Sequence, residues 1–108
     1  MKGTIKRKED IERLFQTGRR SSSSFVTVIE IANDDSSLGR CAFIAGKRLG
    51  SAPVRSRCKR VMREVAREIG APWQGHDIVF IARRKLISAR HDDLVKRIEK
   101  QLQELDVV

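Results

Sequence analysis

Gly46-Lys47-Arg48-Leu49-Gly50-Ser51-Ala52-Pro53-Val54-Arg55-Ser56-Arg57-Cys58-Lys59-Arg60-Val61-Met62-Arg63-Glu64 and the Val65-Ala66-Arg67 that follows form the stretch on which the fold turns. Ser51 suits a helix N-cap, Pro53 is tolerated in a first turn, and Gly70 and Pro72 end the run, so the pattern predicts a helix over residues 52–69. At about 100° per residue, Val54, Cys58, Val61, Met62, Val65 and Ile69 gather on one side, which fits a core. Arg55, Lys59, Arg63 and Arg67 succeed one another at i+4 on the opposite side, with Arg60 beside them. Like charges at that spacing repel, and Glu64 and Glu68 relieve the repulsion only in part. A helix selected for stability alone would intersperse the signs. The stripe makes sense if phosphates supply the missing negative charge, because the planar Arg fork holds a phosphate bidentately. A solvated face on a generally basic protein is the plainer reading of the same pattern.

Two further basic groups lie outward from this helix. Lys47 and Arg48 precede it, between Gly46 and Gly50, whose lack of a side chain would let backbone approach a phosphate closely. Arg83-Arg84-Lys85 follows Asp77-Ile78-Val79-Phe80-Ile81-Ala82, a compact apolar run that predicts a strand. Phe25-Val26-Thr27-Val28-Ile29-Glu30-Ile31 and Cys41-Ala42-Phe43-Ile44-Ala45 predict two more strands, joined through Asn33-Asp34-Asp35-Ser36-Ser37 as an antiparallel hairpin. Ile11, Leu14 and Phe15 mark a short helix over 9–17 with Gly18 as its stop, and residues 19–24 read as a polar linker. Leu94, Val95, Ile98, Leu102 and Leu105 share one face of a last helix over 91–105. The order helix, strand, strand, helix, strand, helix predicts a two-layer α+β sandwich, in which the strands near 41–45 and 77–82 and the helix between them form a parallel βαβ unit.

The chain is short enough to be one domain, residues 1–108, and long enough to need no metal or disulfide staple. Its 23 Lys and Arg against 14 Asp and Glu leave a charge of +9, which calls for a polyanionic partner: nucleic acid, acidic protein or anionic membrane. Membrane is the weakest of these, since no apolar run approaches the roughly 18 residues of a spanning helix. Residues 1–8 read as a flexible basic arm with no apolar signal core behind it, so the expected location is the cytoplasm. Cys41 and Cys58 are 17 positions apart with no CxxC pair, and read as reduced, buried thiols.

The stretch from Gly46 to Glu64 resembles the signature of the bacterial ribonuclease P protein family: a basic pair, then Gly, Ala and an Arg-Asn-Arg-x-Lys-Arg-x-x-Arg run. Glu9-Asp10-Ile11 to Leu14-Phe15, Gly18, Phe25-Val26 and Asp77 to Arg83 agree with that family's first helix, first long strand and later strand, so the resemblance spans about residues 4–105. Ser56 stands where the family usually carries Asn, and a hydroxyl lacks the paired geometry of an amide. Ile11 stands where relatives often carry Phe, keeping an apolar surface without the stacking ring.

The resemblance implies an αβββαβα fold with a short extra strand within residues 19–24. It also implies a left-handed βαβ crossover, against the usual right-handed preference; the arrangement is shared with a domain of a ribosomal protein. It further implies a subunit of an endoribonuclease whose RNA carries the active site and binds most of the Mg²⁺, with precursor tRNA as substrate and no obligate protein partner. On that basis Lys47, Arg48, Arg55, Ser56, Arg57, Lys59, Arg60, Arg63 and Arg67 should contact the enzyme RNA. Ile11, Phe15, Phe25, Val28, Ile44, Arg83 and Arg84 should line a cleft for the 5′ leader. The protein itself should carry no catalytic residue and no metal ligand set. The alternatives are a non-enzymatic RNA-binding protein such as a ribosomal protein, a self-sufficient nuclease built on His76 or His91, and a module that meets an acidic protein.

Overall fold

A computed structural model describes residues 4–5, 7–33 and 39–108. Along the chain run α1 (Lys8–Thr17), β1 (Arg19–Ser22), β2 (Val26–Ala32), β3 (Arg40–Ile44), α2 (Ala52–Ile69), β4 (His76–Ala82) and α3 (His91–Glu104). Short 3₁₀ turns at Lys47–Leu49 and Arg84–Ser88 precede α2 and α3. The polar run read as a linker is therefore the edge strand β1, whose Ser21 is buried with its hydroxyl donating to Glu104 at 2.8 Å.

The sheet order is β1-β2-β4-β3. The expected hairpin between the second and third strands does not form. β2 pairs antiparallel with β4, and β4 pairs parallel with β3. The cause lies in β4, where Ile78, Val79 and Phe80 are all fully buried. A run apolar on both faces needs a strand on each side and cover above and below, so β4 takes the centre and separates β2 from β3. The β3–α2–β4 unit is the parallel βαβ that the sequence predicts.

Strand alternation sorts the core in two. Val26, Val28, Cys41, Ile78, Phe80 and Ala82 pack with Cys58, Met62 and Val65 of α2 and Leu94, Ile98 and Leu102 of α3. Ile29, Ala42 and Val79 point the other way and pack with Ile5 and with Leu14 of α1. Sheet and α2/α3 layer make the two-layer sandwich, and α1 crosses part of the opposite face. The basic arm is anchored where it is described: Thr4 bridges Cys41 in parallel and Ile5 is buried, its N–H donating to the Cys41 carbonyl at 2.9 Å. Residues 1–3 and 6 lie outside the described residues, as do residues 34–38 of the expected turn.

Gly18 ends α1, but in extended backbone (φ −72°). A Cβ there would sit 2.5 Å from Ile29 Cγ2 and 2.5 Å from the Leu14 carbonyl oxygen, so glycine serves close approach of helix to sheet. Gly70 caps α2 with its N–H donating to the Ala66 and Arg67 carbonyls. Ser51 is the N-cap residue, without a side-chain hydrogen bond to the helix.

Candidate nucleic-acid interface

α2 lays Cys58, Met62, Val65 and Ala66 into the core and leaves Ser56, Arg57, Lys59, Arg60, Arg63 and Arg67 exposed. Arg55 is half-buried, with its Nε unpartnered and out of solvent. On the wheel Arg55 falls beside buried Met62, so it sits at the edge of the apolar face and not opposite it as the i+4 spacing suggests. None of these cations forms an ion pair with a described carboxylate. Arg63 lies over the ring of Phe43, 5.4 Å from its centroid, and Phe43 stacks on Phe80 at 5.3 Å. The aromatic base holds one guanidinium at the β3 edge of the sheet.

The acidic residues near the sheet are spent elsewhere. Arg40 is held by Asp77 at 2.8 Å and Asp10 at 3.0 Å, and Arg19 by buried Glu30 at 3.1 Å. Hydrogen bonding to Asp77 pushes the Arg40 guanidinium above its ordinary range, and Glu30 does the same for Arg19. These arginines hold the fold together. The α2 cations face outward with their charge uncompensated, which is the arrangement for a polyanion.

Lys47 and Arg48 are exposed in the turn after β3. Arg83 and Arg84 are exposed directly after β4. Because β3 and β4 are parallel, both basic groups sit at the C-terminal end of this strand pair, beside the start of α2. Arg83 is tied there: its Nη1 donates to the Ser23 carbonyl at 2.9 Å.

The structure divides the residues expected to line one cleft. Ile11 and Ile44 are half-buried on the α1 side of the sheet, together with Ile31 and Ile81. Phe15 of α1 is 37% exposed, and the Arg20 guanidinium sits 5.8 Å from its ring centroid. Val28 is fully buried beneath α2 and α3, so it lines no cleft. Phe25 packs at the edge of that same core and borders α3. Ile81 and Arg20 join this face without having been singled out by the sequence pattern. Period-2 alternation from Ile29 reaches the α1 face at residues 27 and 31, whereas Val28 has the wrong parity.

His76 and Asp77 stand on opposite faces of β4: the imidazole Nδ1 meets Glu30 at 2.6 Å, and Asp77 meets Arg40. His91 pairs with exposed Glu68 at 3.3 Å. Among the described residues, no three His, Cys, Asp or Glu side chains are grouped to hold a metal ion, and no helix is long and apolar enough to cross a membrane.

A family model described as Ribonuclease P matches residues 2–106. The chain is 39% identical over 80 residues to the ribonuclease P protein component of Alkaliphilus metalliredigens, covering 73% of this chain and 71% of that one. To the same component from Dehalococcoides mccartyi it is 34% identical over 98 residues, covering 91% and 79%. Its fold matches the Staphylococcus aureus RNase P protein with a TM-score of 0.85 at 23% identity, over 99% of this chain and 98% of that one. The Thermotoga maritima RNase P protein follows with 0.74 at 23% identity, over 94% and 93%.

Proposed function

Because the chain belongs to the ribonuclease P protein family, we propose that it grips the catalytic RNA with the exposed flank of α2 and holds the 5′ leader of precursor tRNA on the α1 side of the sheet. The observation that carries this is that Lys59, Arg60, Arg63 and Arg67, on one helix of a chain with this family match, form no ion pair among the described residues. Neutralising backbone phosphates lowers the repulsion between two polyanions, enzyme RNA and substrate, and so lowers the Mg²⁺ the reaction requires. Lys47 and Arg48 extend the grip past the start of α2.

In this reading Mg²⁺ is held by RNA phosphates and supplies Lewis-acid activation of the phosphodiester 5′ of the mature tRNA. The protein's residues bind and orient. Ser56, exposed in the first half of α2, offers one hydroxyl to the RNA. Phe15 offers a ring on which a leader base stacks, an interaction worth roughly 1–3 kcal/mol. Arg20 beside that ring takes the adjoining phosphate. Ile11, Ile44 and Ile81 give the floor of the cleft an apolar surface. Arg84 lies at the C-terminal end of β4, where the leader would leave the cleft.

The test is reconstitution: the chain, a bacterial ribonuclease P RNA and a precursor tRNA at low Mg²⁺. Cleavage restored by the protein is the expected result. No stimulation at any Mg²⁺ concentration counts against the reading, and cleavage by the protein without RNA would move the chemistry onto the chain.

A further inference from the structure

Phe25 borders a groove of about 380 Å³ whose other walls are Asp93, Lys96, Arg97 and Lys100. These four α3 residues fall at i, i+3, i+4 and i+7, so they share one helix face. The opposite face of α3 carries Leu94, Ile98 and Leu102, all buried. Three cations face one carboxylate in the groove, and none of the three forms an ion pair with a described acidic group. The ring is set in a fixed turn. The Phe25 N–H donates to Ser23 Oγ at 3.2 Å, and its carbonyl accepts from the Arg83 N–H at 2.9 Å.

A half-buried aromatic beside a row of uncompensated cations fits an unpaired nucleic-acid strand, because an exposed base packs on the ring while its phosphates meet the cations. A duplex keeps its bases stacked away and would leave the ring unused. An acidic peptide would engage the cations alone. We propose that this groove is a second RNA-binding site, taking a short unpaired strand with a base against Phe25 and phosphates on Lys96, Arg97 and Lys100. It lies on a different helix from the α2 stripe and binds whether or not that stripe does.

The experiment is fluorescence anisotropy of a labelled single-stranded RNA octamer with the full chain carrying Lys59→Ala, Arg60→Ala and Arg63→Ala, which remove the α2 grip, and Phe15→Ala and Arg20→Ala, which remove the ring and cation of the α1-side leader site. Binding should persist there. Adding Lys96→Ala, Arg97→Ala and Lys100→Ala, all at exposed positions, should weaken it at least about tenfold and lower the salt slope by about 0.7 for each phosphate no longer neutralised. Phe25→Leu keeps an apolar group in the core edge and should weaken binding several-fold without changing the slope. Affinity unmoved by the triple and Phe25 changes, or equal competition by a Glu-rich peptide or an RNA duplex, overturns the proposal. A photo-cross-linker on Glu99→Cys then identifies the strand, since the native Cys41 and Cys58 are buried. Mixed separately with precursor tRNA and with ribonuclease P RNA, an adduct on either supports the site and names its source. An adduct on neither overturns it.

Discussion

Gly39 shows how one missing side chain holds a sheet edge together. A Cβ there would lie 1.8 Å from the Trp73 carbonyl oxygen and 2.2 Å from that of His76, both backbone atoms that cannot swing aside. Gly39→Ala should therefore destabilise the protein by about 1–3 kcal/mol or more, the cost of overpacking a closed site, measured by urea unfolding. The thiols give a second residue-scale prediction. Burial, with Asp77 nearby, pushes Cys41 up to about 12, and burial also raises Cys58. The native state then keeps protons that the unfolded chain gives up near the ordinary thiol value of 9.0. Stability from these groups is full below that value and is lost as pH rises from about 9 toward 12. Between those limits, Cys41→Ala should lose stability less steeply with pH than the parent. Equal slopes would show that Cys41 does not titrate in that window.

At the scale of elements, α2 carries two roles on two faces, and its sequence separates them cleanly. The apolar side fixes the helix on β3 and β4, and the exposed side has no carboxylate partners among the described residues. Charge substitutions on that side should change RNA affinity more than stability. Replacing Lys59, Arg60 and Arg63 together by Ala should lower the log–log salt slope of enzyme-RNA binding by roughly 0.9 for each phosphate left without its cation, with little change in melting temperature. Filter binding across salt concentrations reads this directly. An unchanged slope would mean that the stripe meets water. Arg63 should contribute more than its charge, because Phe43 beneath it limits where the guanidinium can point.

For the whole molecule, the sheet separates two surfaces, and a substitution's effect depends on which it reaches. Phe15 stands on the α1 side and Val28 is sealed under α2 and α3. Phe15→Ala should weaken binding of precursor tRNA and leave mature tRNA unaffected. Val28→Ala should cost roughly 1–3 kcal/mol of stability and leave the ratio of the two affinities unchanged. Equal losses for precursor and mature tRNA with Phe15→Ala would remove the leader from this face.

The local sequence determined most of the elements, the cationic flank of α2 and the parallel β3–α2–β4 unit, because periodicity and caps act over a few residues. Its short signature also carried the family, which the match over residues 2–106 bears out. Tertiary structure alone decided that β4 lies between β2 and β3, since adjacency in the chain favours a hairpin and only burial of Ile78, Val79 and Phe80 on both sides overrides it. It also decided the parity of β2, which sends Val28 inward, and the bend just before β2, which turns Phe25 toward α3 and away from Phe15. In a strand, a shift of one position exchanges the two faces of the sheet, and which face is covered depends on helices distant in sequence.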